Sequence, residues 1–266
     1  MSAKSSQLQV ALVQAELYWQ DAAANRAHLA GLMDQRPAAD LYVLPETFTT
    51  GFLGDADRPA EPFNGPTLDW LREQAQARSA AIVGSAAVGD ANGHRRNRMI
   101  FMPPEGKPIW YDKRHLFSYG GEDRRYRAGT STAVVEWRGW RIDLQICYDL
   151  RFPVWCRNDR DFDLQLFVAN WPSPRVEAWR LLLQARALEN QAFVIGVNCS
   201  GIKGSDTAYP GCSAAIDGGG ERLLELGSDE AVETIILDRQ ALEEIREKLP
   251  FLRDRDGFRI ERETGG

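Results

Sequence analysis

The chain has 266 residues, 44% of them apolar, and a formal net charge of −6. That apolar share supplies a sizeable core, and an acidic balance without a basic stripe argues against nonspecific binding to nucleic acid or to a membrane. The first seven residues are polar and no apolar run approaches the ~20 residues of a membrane span, so no secretory signal or anchor is expected and a cytoplasmic location is.

In chain order, residues 8–14 read as a strand, and 22–36 as a helix with Leu29, Leu32 and Met33 on one face and Asp21 as its cap. A second strand follows at 41–44. Residues 68–78 read as helical, 80–87 as extended, and 98–102 with 109–111 as a hairpin around Pro103-Pro104-Glu105-Gly106. Another hairpin pairs 133–137 with 140–146 across Gly139. Strand 164–169, helix 176–190 and strand 193–198 make a strand–helix–strand unit, followed by extended pieces at 214–217, 222–225 and 231–237 and a helix at 242–248. No linker interrupts the series, so one domain is expected over 1–266, with a polar extension at 1–7 and a tail from about 250. The mixture implies an α/β fold with mixed sheets.

Three of these strands run into reactive side chains. The apolar run Leu144-Gln145-Ile146 ends on Cys147 and passes into the charged turn Tyr148-Asp149-Leu150-Arg151-Phe152-Pro153. A thiol at a strand end reaches a cleft while the backbone behind it stays rigid, and the next N–H can point at the same reacting atom. Leu41-Tyr42-Val43-Leu44-Pro45 leads in the same way to Glu46, and Trp110-Tyr111-Asp112 leads to Lys113. Singly, each has a bland explanation: free cysteines are commonly buried packers, and a lone Glu or Lys at a strand end is commonly a solvated loop charge. Together they are a nucleophile, a carboxylate base and a cation, the minimum set for acyl transfer through a thioester.

The segments LPETF with Glu46, YDKRHLF with Lys113 and ICYDLRFP with Cys147 resemble, in order, the three catalytic motifs of the nitrilase superfamily, the carbon–nitrogen hydrolases. The resemblance runs from the first strand to about residue 237. Gly121-Glu122 resembles the family's second glutamate, and Ala169-Asn170-Trp171-Pro172 with 184–190 is most similar to the omega-amidase branch, whose bacterial members are 2-oxoglutaramate amidases. The resemblance implies a four-layer α-β-β-α sandwich of two mixed sheets. It also implies hydrolysis of short dicarboxylic monoamides, above all 2-oxoglutaramate to 2-oxoglutarate and ammonia. On this reading Glu46 takes the proton of Cys147 as sulfur attacks the amide, Lys113 and the N–H of Tyr148 hold the oxyanion, and Glu122 orients Lys113. A distal substrate carboxylate calls for a cation, for which Arg175 is the candidate; Trp171 and Phe117 are expected in the binding cleft. Trp137, Trp140, Trp155 and Trp179 are expected as packing. A homodimer or higher homo-oligomer is implied by the resemblance alone.

The remaining motifs are read as silent. Cys147, Cys156, Cys199 and Cys212 form no CxxC pair and are expected reduced; His28, His94 and His115 lack metal-ligand spacing; Gly120-Gly121 and Gly218-Gly219-Gly220 are read as turns. No metal, cofactor or nucleotide is expected. Three alternatives stay open: a sibling hydrolase acting on deaminated glutathione, a nitrile or an N-carbamoyl compound; a papain-like dyad of Cys147 with His115; and a catalytically silent scaffold of the same fold.

Overall fold

The computed structural model describes residues 6–35, 38–57 and 59–261. Most of the polar extension, the expected helix end at residue 36 and the last five residues of the tail lie outside them. The elements in order are β1 (Gln7–Gln14), β2 (Glu16–Tyr18), α1 (Ala22–Asp34), β3 (Leu41–Val43), β4 (Glu61–Pro62), α2 (Pro66–Arg78), β5 (Ala81–Gly89), β6 (Arg95–Met102) and β7 (Ile109–Asp112). After the short α3 (Glu122–Arg125) come β8 (Val134–Trp137), β9 (Trp140–Ile146), β10 (Leu164–Ala169), α4 (Val176–Asn190) and β11 (Phe193–Asn198). The chain closes with β12 (Gly201–Lys203), β13 (Ala214–Ile216), β14 (Arg222–Glu225), β15 (Ala231–Asp238) and α5 (Arg239–Lys248).

Two mixed sheets stack face to face. The first has the order β15-β1-β3-β5-β6-β7 with β4 joined to β5, the second β14-β13-β11-β10-β9-β8. Alternation along β1 shows why they stack. Leu8, Val10 and Leu12 join one cluster with Ile142, Leu144 and Leu166 of the second sheet, while Ala11 and Val13 join another under α1 and α2. In β10 every residue is buried, because one face meets the first sheet and the other meets α4, whose Trp179, Leu183 and Ala187 belong to the same cluster. The layers are therefore helix, sheet, sheet, helix, the sandwich that the motifs implied.

Local signals set the helix ends. Asp21 accepts the N–H of Ala24 and starts α1, as its position suggested. Pro66 opens α2 two residues before the expected start, where its missing N–H costs nothing. Asp238 caps α5, moving its start from the expected 242 to 239. The two-stranded sheet of β2 and β12 was not expected, since three-residue strands carry no periodicity to read.

Candidate active site

β1, β3 and β5 are parallel, and β7 runs with them because two antiparallel steps separate it from β5. In the second sheet β9, β10 and β11 are parallel. Glu46 lies three residues past β3, Lys113 directly after β7, Cys147 directly after β9 and Asn170 directly after β10. Four polar side chains thus come from carboxyl ends of strands, where backbone direction changes and side chains reach open space.

They border one cavity of about 620 Å³. Its wall includes Glu46, Lys113, Cys147, Tyr148, Phe117, Trp171 and Arg175, so seven sequence candidates are brought together. Glu122 stands behind them, 1% exposed, and touches the cavity only through its partners. Gly120, read from sequence as a plain turn, also belongs to the wall.

The polar core of the site is a closed ring. Lys113 Nζ donates to Glu46 Oε1 and to Glu122 Oε2, both at 2.8 Å. Asn97 Nδ2 donates to Glu46 Oε1 at 2.8 Å and to Glu122 Oε1 at 2.9 Å. Glu46 Oε2 accepts the N–H of Asn170 at 2.8 Å, and Glu122 Oε2 accepts the N–H of Phe117 at 2.7 Å. Burial works against the charge of Lys113, but Glu122 and Glu46 more than offset it and hold its pKa well above the ordinary lysine value. Two of its three N–H donors are committed, which leaves one for the cavity.

Cys147 turns the chain at a positive φ of 44°, and Thr47, next to Glu46, does the same at 41°. Such conformations cost about 1–3 kcal/mol each for residues with a Cβ. They are held at Thr47 by Ser85 Oγ, which accepts its N–H at 2.8 Å, and by Asn170 Nδ2, which donates to its hydroxyl at 2.7 Å. Burial and then the charge of Glu46 push the Cys147 thiol well above its usual range, against the pull of Lys113. At rest Cys147 is a neutral thiol beside the Glu46 carboxylate. Tyr148 lies in the first turn of the 3-10 helix Cys147–Arg151, where backbone N–H groups have no intrahelical acceptor.

The structure argues against a Cys147–His115 dyad. His115 Nδ1 lies 2.8 Å from Asp149 Oδ1, its ring stacks on Phe152 at 3.6 Å, and it does not border the cavity. Trp140 and Trp179 are wholly buried, consistent with packing, while Trp171 forms cavity wall. Arg175 lies over the Phe117 ring at 5.2 Å. Sequence reasoning missed Arg151, which also borders the cavity, over the Trp171 ring at 4.9 Å. Its four-residue spacing from Cys147 was the available signal. Asn97 was missed too, although a polar residue in register with inward-facing Met99 and Phe101 marks it out. Among the described residues no group of three or more His, Cys, Asp and Glu side chains converges as a metal site.

Comparison with known proteins gives the family. The family model described as carbon-nitrogen hydrolase matches residues 9–247. The chain belongs to the carbon–nitrogen hydrolase family. Omega-amidase YafV of Yersinia enterocolitica is 44% identical over 95% of this hydrolase and 98% of its own length. The 2-oxoglutaramate amidase of Bacillus subtilis is 36% identical over 81% of this chain and 85% of its own. A carbon–nitrogen hydrolase superfamily protein of Xanthomonas campestris, solved with an arsenic adduct in its active site, superposes with a TM-score of 0.93 at 45% identity, covering 96% of this chain and 99% of that one. The hydrolase therefore acts on carbon–nitrogen bonds, and the sandwich is the fold of its superfamily.

Proposed function

We propose that the chain is an omega-amidase that hydrolyses 2-oxoglutaramate to 2-oxoglutarate and ammonia through a thioester on Cys147. The observation that carries this reading is the convergence of a neutral thiol, the buried Glu46–Lys113–Glu122 ring and two arginines on one cavity. The omega-amidase and 2-oxoglutaramate amidase names of the relatives support the substrate.

The chemistry follows from the positions. Glu46 accepts the thiol proton as sulfur attacks the amide carbon, and the oxyanion is held by the uncommitted N–H of Lys113 and the N–H of Tyr148. Collapse breaks the C–N bond, and Glu46 returns its proton to the leaving nitrogen, which departs as ammonia. Glu46 then deprotonates the water that attacks the thioester, and the carboxylic acid leaves with the thiol restored. Glu122 shares Lys113 with Glu46 and fixes where the ammonium points.

The substrate brings a carboxylate at its far end, and Arg175 and Arg151 are its receptors. Each guanidinium is stacked on an aromatic ring and has no carboxylate partner among the described residues. Trp171 joins them, since its indole N–H donates to the carbonyl of Arg175 at 2.7 Å while its ring supports Arg151. Ammonia release is to be compared across 2-oxoglutaramate, glutamine, deaminated glutathione and a simple nitrile. Preference for 2-oxoglutaramate, with KM raised about tenfold or more in Arg175→Ala or Arg151→Ala, is expected. Preference for another substrate moves the enzyme to a sibling activity, and an unchanged KM in both variants removes the arginines from recognition.

The same reading carries a single domain over 1–266, a cytoplasmic location and a homo-oligomer. All four cysteines are free, which suits a reducing compartment.

A further inference from the structure

The ring contains one member with no part in the chemistry just described. Asn97 is 1% exposed and does not border the cavity. Its backbone carbonyl accepts the N–H of Lys113 at 2.9 Å, which extends the β6–β7 ladder by one step and sets the lysine beside it. Its side-chain nitrogen spends one hydrogen on each glutamate. The amide orientation is determined by its neighbours, because the flipped form would press a carbonyl oxygen against two carboxylates. The orientation has a visible cost: Asn97 Oδ1 is buried with no hydrogen-bond partner. What the position uses is two donors.

We propose that Asn97 is a positioning residue that holds Glu46 and Glu122 ionised, so that Glu46 is ready to accept the thiol proton. Two carboxylates facing one ammonium would ordinarily relieve their repulsion by sharing a proton. A second cation would prevent that, but it would also neutralise the site and weaken Glu46 as a base. A neutral amide with two N–H donors stabilises both charged carboxylates and leaves the net negative charge in place. The other titratable groups facing the pair cannot substitute for it. Besides Lys113 these are the Cys147 thiol, Cys199 after β11, Tyr126 after α3 and Tyr209 in the cavity wall. Burial pushes the pKa of each of those thiols and phenols upward, so they stay neutral, and a thiol or phenol carries no positive charge in either form.

The inference rests on Glu46 acting as the base in the proposed amidase reaction. Its test is the pH profile of kcat/KM for 2-oxoglutaramate in wild type, Cys147→Ala and Asn97→Leu, a variant of similar volume with no donor. Without the two donors the charged carboxylates lose hydrogen-bond stabilisation, so the acid limb of Asn97→Leu moves to higher pH by about one unit. Its deficit is about tenfold on the acid side and shrinks as pH rises, with KM within about twofold of wild type. A folded variant with a uniform loss at every pH, or with the loss confined to KM, overturns the role. Should Asn97→Leu not fold, Asn97→Ser, which gives up at least one donor, must move the limb in the same direction, and an unmoved limb there overturns it equally. Activity surviving in Cys147→Ala would instead overturn the underlying thioester reading, so the two failures are distinguishable.

Discussion

On the proposed mechanism Cys147 and Glu46 make opposite demands on each other: the negative charge that would let Glu46 act as a base also keeps the thiol protonated. The proposed mechanism therefore has the thiol give up its proton as it attacks, with no stable thiolate at rest. Glu46→Gln separates the two effects. With the raising charge gone, the thiol pKa falls, and alkylation of Cys147 by iodoacetamide at fixed pH near 8 should quicken about three- to fourfold for each unit of the fall, the gain in thiolate outweighing its lower nucleophilicity. Amide turnover should drop at least about 10²-fold because no base remains. Slower alkylation in the variant would contradict the charge balance. At this scale Glu46, Lys113 and Cys147 were legible because each ends an apolar strand. Asn97 and Arg151 were much less so: one acts through strand register and the other through the turn after the nucleophile, neither of which residue types alone reveal.

Among the elements, β7 has the most demanding placement, since the strand must deliver Lys113 between two glutamates. Gly129 pins its end. The Gly129 N–H donates to the carbonyl of Lys113 at 2.8 Å, and a Cβ on Gly129 would stand 2.0 Å from the carbonyl oxygen of Asp112. That contact is with backbone, so no rotamer relieves it. Gly129→Ala should displace Lys113 and lower kcat/KM about 10²-fold, as expected for a catalytic group moved by a fraction of its hydrogen-bond length. Wild-type kcat/KM in this variant would show that the strand end tolerates movement. Most elements were readable from periodicity, including both hairpins and the strand–helix–strand unit ending in β11. Gly129 was not singled out, because the close approach that requires it joins segments seventeen residues apart with no shared pattern.

For the whole molecule, the sandwich brings strand ends from both sheets to one rim, and the cavity exists only because the sheets stack in that register. The stacking direction was not contained in any local periodicity; the three motifs in order supplied it through their resemblance to a known family. On the outer layer, Leu181 and Leu188 are 63% and 45% exposed, lie seven residues apart on α4 and so share one face. A homo-oligomer of the kind proposed above would cover exposed apolar surface of this sort. Sedimentation equilibrium at micromolar concentration should give at least twice the 29.9 kDa of one chain, and Leu181→Glu should weaken the assembly. A monomer under those conditions contradicts it. The central claim, that Cys147 performs amide hydrolysis on an omega-amide, is tested most directly by ammonia release from 2-oxoglutaramate by wild type and by Cys147→Ala at equal concentration. The account predicts steady release by wild type and none above the uncatalysed background in the variant; release by a clean, folded Cys147→Ala, or silence from wild type, would contradict it.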